Sequence, residues 1–200
     1  MTETQDSTSF VSRCADQAEA LLAELGAATD AYAAASGLRC REGCGQCCLR
    51  PGIETQVVEL LPLARALLAS GEADAAYERA GADPDGRCVF YRPSGPDETR
   101  GRCGQYALRP SLCRLFGFAA VSGKDGRPPA LAACHWHKRL TPDTVATAQQ
   151  AIDGGAEVPL FSAWTMKFRL LAPTPALAER LPINRALMRA IEKMDLATRG

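Results

Sequence analysis

The sequence predicts a mainly α-helical protein with a small irregular β-hairpin and loop region, its helices surrounding a cysteine-rich centre. Apolar residues recur at helical spacing near both ends, and most cysteines fall in a turn-rich middle. Strands and helices do not alternate as they would in a parallel sheet. We expect a single domain over residues 1–200, with a cysteine core at about 38–136 between helical segments at about 10–36 and 141–198.

Two helices are expected before the middle region. Residues 11–36 are rich in Ala and Leu, and Gly37 supplies a C-cap. Residues 55–70 carry apolar side chains at a period near 3.6, and Pro62 either starts a helix there or kinks it. The apolar face of this second helix is predicted to contain Val57, Leu60, Leu61, Ala64 and Leu68.

Later segments predict further helices around a hairpin. A short helix is expected at 72–80, and another at 142–152 behind Thr141 as N-cap. Between them, the segments CVFY and CGQY suit an irregular hairpin with a long loop at 93–101, and Pro110 can open a short helix, SLCRLF. The C-terminal helix is predicted to place one apolar stripe on Ile183, Leu187, Ile191 and Met194.

Charge and hydropathy limit the function classes. Lys plus Arg and Asp plus Glu number 23 each, which argues against a nucleic-acid binder that depends on bulk positive charge. The first ten residues are polar and unlike a secretory signal, and no stretch is apolar enough to span a membrane. We therefore expect a cytoplasmic protein without nucleic-acid or membrane partners.

The cysteines indicate a metal centre. In a reducing compartment, nine cysteines in a chain of 200 residues are better explained by metal coordination than by structural disulfides. The spacing Cys44-x2-Cys47 lets two thiolates on one turn reach the same metal, as in zinc and iron-sulfur sites. The predicted ligands are Cys40, Cys44, Cys47, Cys48, Cys88, Cys103, Cys113 and Cys134.

Eight thiols suffice for two four-ligand sites or for one site with thiols to spare. Because side chains of neighbouring residues tend to diverge, Cys47 and Cys48 are expected to face different sites, or one of them the core. Four thiolates around Zn²⁺ leave negative charge that a guanidinium would offset. The candidate guanidinium groups are those of Arg102, Arg109 and Arg114.

Other interpretations of the cysteines stay open. They are a disulfide framework, buried structural thiols, a CxxC redox site at Cys44 and Cys47, and a radical S-adenosylmethionine motif at Cys40, Cys44 and Cys47. Cys14, alone on an Ala-rich helix, suits a structural role. His135 and His137 are further candidate ligands; in a strand they would face opposite ways, so at most one should reach the cysteines.

With these positions laid out, the chain resembles the YkgJ-type cysteine-cluster proteins, also called the CxxCxxCC family of zinc- or iron-chelating domains. The matching segments are CREGCGQCC at 40–48, CVFY at 88–91 and CGQYALRPSLCRLFGF at 103–118. Val89 departs from a proline frequent there. The resemblance implies chelation of an iron-sulfur cluster, of the 4Fe-4S type, or of zinc.

The resemblance leaves the biological role open. A related cluster in flagellin lysine-N-methylase implies, as one alternative, an iron-sulfur enzyme that modifies a protein or peptide. A redox or accessory role beside a protein partner and a zinc-stabilised interaction module are the others. No catalytic residue is singled out, since the chain has two histidines and no glycine-rich cofactor loop.

Overall fold

The computed structural model describes residues 2–41, 43–95 and 100–199. It is 58% helical with a few short antiparallel strand pairs, which confirms the predicted mainly α class. Within the described residues, no helix is both long and apolar enough to cross a membrane.

The chain divides into two compact units, and the expected single domain stays a prediction. Unit 1 comprises Met1–Leu22, Gly43–Pro110 and Phe168–Gly200, and unit 2 comprises Ala23–Glu42 and Ser111–Lys167. The predicted ligands are therefore shared between the units. Unit 1 holds Cys44, Cys47, Cys48, Cys88 and Cys103, and unit 2 holds Cys40, Cys113 and Cys134.

The helices follow the predicted order with three additions. They are α1 Thr2–Ser36, α2 Leu61–Ser70, α3 Ala73–Ala82, α4 Ser111–Leu115, α5 His135–Leu140, α6 Pro142–Asp153, α7 Phe161–Leu170, α8 Pro175–Ala178 and α9 Ile183–Arg199. Gly37 ends α1 at a φ of 72°, and its N–H donates to the carbonyl of Ala33. Pro62 starts α2 instead of kinking it. The sequence had not predicted α5, α7 and α8.

The strands form three short antiparallel pairs. They are β1 Glu54–Gln56 with β6 Arg180–Pro182, β2 Tyr91–Pro93 with β3 Gly101–Cys103, and β4 Ala120–Val121 with β5 Ala130–Leu131. The pair β2 and β3 is the predicted hairpin, with Tyr91 opposite Cys103. The strands overlap the predicted segments only at Tyr91 and Cys103 and extend instead into the predicted loop at 93–101. Cys88 lies in the turn before β2, where its carbonyl accepts from the N–H of Tyr91. Part of the predicted loop, residues 96–99, lies outside the described residues.

Each unit has its own apolar core. In unit 1, α9 packs against α2 and α3, and all four residues of its predicted stripe are buried. On α2, Leu67 is buried while the predicted Leu68 is only half-buried. In unit 2, Tyr32 and Leu38 pack with Ala148 and Ile152 of α6.

Candidate metal centre

Residues 43–49 form the cysteine knuckle of unit 1, a tight helical turn. The backbone N–H groups of Cys48 and Leu49 both donate to the carbonyl of Gly45, at 2.9 and 3.2 Å. In such a turn successive side chains are about 100° apart rather than opposite, so neighbours can face one site. The predicted divergence of Cys47 and Cys48 is therefore wrong, because their side chains are hydrogen-bonded to each other. Cys48 is nevertheless buried, as expected for one member of the pair.

The knuckle is held against the hairpin by close backbone packing. The N–H of Gly101 in β3 donates to the carbonyl of Gly43 at 3.1 Å. A Cβ on Gly45 would overlap the Tyr91 ring and lie 3.0 Å from the carbonyl oxygen of Gly101. Because Gly45 has no side chain, Cys47 and Cys48 can approach Cys103, the last residue of β3. In the sequence, Cys103 lies more than 50 residues after both of them.

Three sulfurs of unit 1 share hydrogen bonds. The Cys48 thiol interacts with the sulfurs of both Cys103 and Cys47, and these interactions, with burial, raise its pKa far above the ordinary range. The same hydrogen bond from Cys48 lowers the pKa of Cys47 to about 6 and that of Cys103 to about 7. Cys48 therefore keeps its proton, and the two flanking sulfurs carry negative charge near neutral pH.

A fourth thiol and a guanidinium adjoin this group. Burial raises the pKa of Cys88 to about 11, and the charges of Cys103 and Cys47 act in the same direction. The positive charge of Arg109 helps to lower the pKa of Cys47 and Cys103. The Arg109 guanidinium lies 3.8 Å from the centre of the Tyr106 ring.

Of the three predicted arginines, Arg109 is the one whose charge acts on this group in the structure. Arg102 is exposed on β3. The Arg114 side chain contacts α1, where a Cβ on Gly26 would lie 3.0 Å from one of its guanidinium nitrogens.

In unit 2, Cys134 and His137 form a thiol–imidazole pair. Cys134 is the N-cap of α5, and its sulfur accepts from the backbone N–H of His137 at 3.3 Å. Burial opposes ionisation of Cys134, but interaction with His137 lowers its pKa overall, and the Cys134 side chain raises the pKa of His137. Cys40 is exposed, and Cys113 on α4 is half-buried.

The two histidines lie on α5 rather than in a strand. His135 is exposed and contacts the ring of Trp136 edge-on, whereas His137 is buried. Positions two apart on a helix point about 200° away from each other. His137 therefore reaches Cys134 while His135 faces solvent.

Cys14 behaves as a structural thiol, as its sequence context predicted. It is 3% exposed in unit 1, and its sulfur donates to the carbonyl of Leu171 at 3.5 Å. Burial raises its pKa, so this thiol stays protonated. In the described part of the chain all nine cysteines are thiols, without a disulfide bond.

The donor set suits a thiophilic metal, but the coordination sphere is not preformed. Cysteine-only sets bind zinc and iron-sulfur clusters, and a nearby guanidinium offsets their excess negative charge. Among the described side chains, however, no group of three or more His, Cys, Asp or Glu residues is arranged to hold a metal ion. Metal binding there would displace the protons of Cys48 and Cys88, the two thiols of this group whose pKa is raised.

The chain is mainly helical and carries clustered thiols on short turns, which places it in the class of cysteine-cluster proteins. The family model described as "CxxCxxCC: Putative zinc- or iron-chelating domain" matches residues 39–150, more than half of the chain, and the chain belongs to this family. This result confirms the family predicted from the sequence. A search of the curated proteins found no match, and neither did a search of the solved structures.

Proposed function

We propose that the chain is a metal-binding protein whose eight clustered cysteines bind zinc or an iron-sulfur cluster. The observation that carries the proposal is the interacting group of Cys47, Cys48, Cys88 and Cys103, which we assign as the thiolate ligands of unit 1. Four thiolates complete a tetrahedral zinc site and equally serve a 4Fe-4S cluster. Unit 1 has two further thiols, Cys44 on the same knuckle and the structural Cys14.

The residues around the group supply what a thiolate site needs. Arg109 provides positive charge, and the buried Phe90 and Tyr91 exclude water on the hairpin side. Bound zinc would stabilise the fold, whereas an iron-sulfur cluster would supply one-electron redox chemistry. Either role suits a reducing compartment such as the cytoplasm, because the ligands must stay reduced.

Metal analysis of anaerobically purified protein tests this proposal. We expect wild-type chain to retain zinc, or iron with sulfide and absorption near about 400 nm. A Cys47→Ser, Cys103→Ser double variant should lose that metal, because it removes the two sulfurs with lowered pKa. Cys14→Ala is the matched control, because it removes a unit 1 thiol outside the group, and should keep the metal.

Two results would refute the assignment. Wild-type protein without stoichiometric zinc or iron would contradict metal binding itself. Equal metal content in wild type and the folded double variant would show that the ligands lie elsewhere. Circular dichroism of each variant establishes that it is folded, so that a loss of metal can be ascribed to the ligands.

A further inference from the structure

The hairpin of β2 and β3 in unit 1 has two chemically different faces. Side chains alternate between the faces of a strand, so the cross-strand partners Tyr91 and Cys103 share one face, and the next partners, Arg92 and Arg102, share the other. Tyr91 is buried, and its ring lies against Gly45 of the knuckle, whereas both arginines are exposed. The hairpin therefore turns its cysteine toward the thiol group and its arginines toward solvent.

A third arginine extends the outer face of the hairpin. The N–H of Ser94 donates to the carbonyl of Arg100 at 2.7 Å, which continues the antiparallel pairing by one residue pair. Arg100 is exposed and precedes Arg102 by two residues, so the two side chains lie on the same face. We call the set of Arg92, Arg100 and Arg102 the arginine face.

The positive charges of the arginine face are not neutralised within the described part of the chain. None of its three guanidinium groups forms an ion pair with a described carboxylate. Arg92 donates only to backbone carbonyls, those of Val89 at 3.1 Å and Tyr91 at 3.5 Å. Like charges directly opposite each other on a sheet are destabilising, so an anion bound between Arg92 and Arg102 relieves their repulsion.

The backbone edges of the hairpin do not favour the addition of another strand. On the β2 edge, Pro93 has no N–H, and the N–H of Tyr91 donates to the carbonyl of Cys88 at 3.0 Å. On the β3 edge, the N–H of Gly101 donates to the carbonyl of Gly43 at 3.1 Å. A partner of this hairpin therefore contacts the arginine side chains instead of extending the sheet.

We propose that the arginine face is the docking site of an acidic protein partner, which binds through an extended segment with carboxylates at alternate positions. Arg100 and Arg102 repeat at about 7 Å along the strand, the spacing at which side chains on one face of an extended peptide also repeat. A guanidinium group binds a carboxylate through two parallel hydrogen bonds. Charge and geometry therefore both match such a segment.

An acidic protein fits this face better than a nucleic acid does. Three guanidinium groups are few beside the roughly 6 to 10 phosphate contacts of many DNA-binding proteins. Lys plus Arg also equal Asp plus Glu over the whole chain, at 23 each, so no bulk positive charge attracts a polyanion. The proposal goes beyond metal binding, because none of the three arginines is an assigned ligand. Docking places the partner across one hairpin from Cys103.

Fluorescence anisotropy with a short labelled peptide of alternating Glu and Thr tests the proposal on the full chain. We expect the wild type to bind the peptide, and Arg100→Gln, Arg102→Gln to bind it about 10-fold more weakly. Arg79→Gln, Arg180→Gln is the matched control, because it removes the same charge from exposed positions of unit 1 outside the face, and should bind as wild type does.

Two further measurements separate this proposal from a folding defect and from metal binding. NMR of the wild type with labelled arginine needs no substitution, and the peptide should shift the side-chain resonances of Arg92, Arg100 and Arg102. The Arg100→Gln, Arg102→Gln variant should retain the metal content of the wild type. A failure of peptide binding therefore leaves the metal proposal standing, and the reverse holds as well.

Three results would overturn the docking site. Absent binding, or equal losses in the two double variants, would show that no specific face is involved. Tighter binding of single-stranded DNA than of the peptide at the same arginines would assign the face to nucleic acid. Peptide binding that appears only in Asp97→Asn, Glu98→Gln would show that acidic residues of the chain itself, from the loop between the strands, occupy the face.

Discussion

At the scale of single residues, Cys48 determines how the thiols of unit 1 hold their protons. Its sulfur is hydrogen-bonded to Cys47 on one side and to Cys103 on the other. The thiol of Cys48 thus donates to two sulfurs, and both of these ionise more easily than an ordinary thiol. A metal ion competes with this shared proton, so metal binding should strengthen as pH rises.

Alkylation of the reduced, metal-free protein should reveal this unequal ionisation. At about pH 7.5, Cys47 (pKa about 6) is largely thiolate, whereas Cys88 (pKa about 11) is protonated. We expect iodoacetamide to modify Cys47 faster, with a rate that levels off above about pH 7, while the rate at Cys88 rises through about pH 10. Peptide mass spectrometry measures both sites, and equal rates at neutral pH would contradict the assigned ionisation.

Arg109 is the second residue whose removal has a defined electrostatic effect. In Arg109→Gln the pKa values of Cys47 and Cys103 should rise, because the guanidinium favours both thiolates. Metal affinity should fall about 10-fold or more, as is typical for partners of metal ligands. Competition with a chromophoric chelator gives the affinity. Arg102→Gln, on exposed β3, is the control and should bind as wild type does.

At the scale of elements, α9 holds the segment that carries Cys88. Asn184, 1% exposed, donates from Nδ2 to the carbonyls of Asp83 and Arg87, at 2.7 and 2.8 Å. Its Oδ1 accepts from the N–H of Val89 at 3.2 Å. One amide thus satisfies three backbone groups on both sides of Cys88, which makes this helix part of the support of the thiol group.

Replacing this amide should destabilise unit 1. Asn184→Ala leaves three backbone groups without their partner, and we expect the free energy of unfolding to fall by about 2 to 4 kcal/mol. Chemical denaturation measures the loss. Arg185→Gln is the control, because Arg185 is the next residue and contacts Asp85 of the same segment through an exposed ion pair. A loss of stability as large in this control would argue against the buried amide as the cause.

At the scale of the whole molecule, apolar packing supports α9, whereas the proposed metal site would support the knuckle. The packing of α9 on α2 and α3 buries Leu187, Ile191 and Met194 without any cysteine. The knuckle at residues 43–49 depends instead on its backbone contact with β3 and on the thiols themselves. Stability should therefore differ along the chain.

Hydrogen exchange after metal removal tests this difference. A chelator should speed amide exchange at residues 43–49 and 101–105 by about 10-fold or more, because metal binding is coupled to local folding. Amides of α9 should keep their protection, since its apolar contacts remain. The Cys47→Ser, Cys103→Ser variant should show the faster exchange with or without chelator. Equal acceleration in α9 would indicate that the whole of unit 1 unfolds with the metal.

Local sequence patterns were sufficient to predict much of the fold. Helical periodicity predicted α2 and α9, Gly37 predicted the end of α1, and turn residues predicted the hairpin of β2 and β3. α5 and α8 were missed because they have only six and four residues, too few for a periodic pattern. α7 was missed although Phe161, Trp164 and Phe168 recur there at helical spacing. The spacing of the cysteines was sufficient to predict the family, since its motif lies in short contiguous segments.

The sequence by itself determined the helical class, the chemistry of the donors and the family. Only the tertiary structure decided which thiols meet, because that depends on chain reversals between distant segments. Cys48 reaches Cys103 since Gly45 and Gly101 let two backbones approach, and no pattern of neighbours encodes that contact. The contact between Cys134 and His137 likewise became visible only in the structure, because it depends on the position of Cys134 as the N-cap of α5 and on the burial of His137.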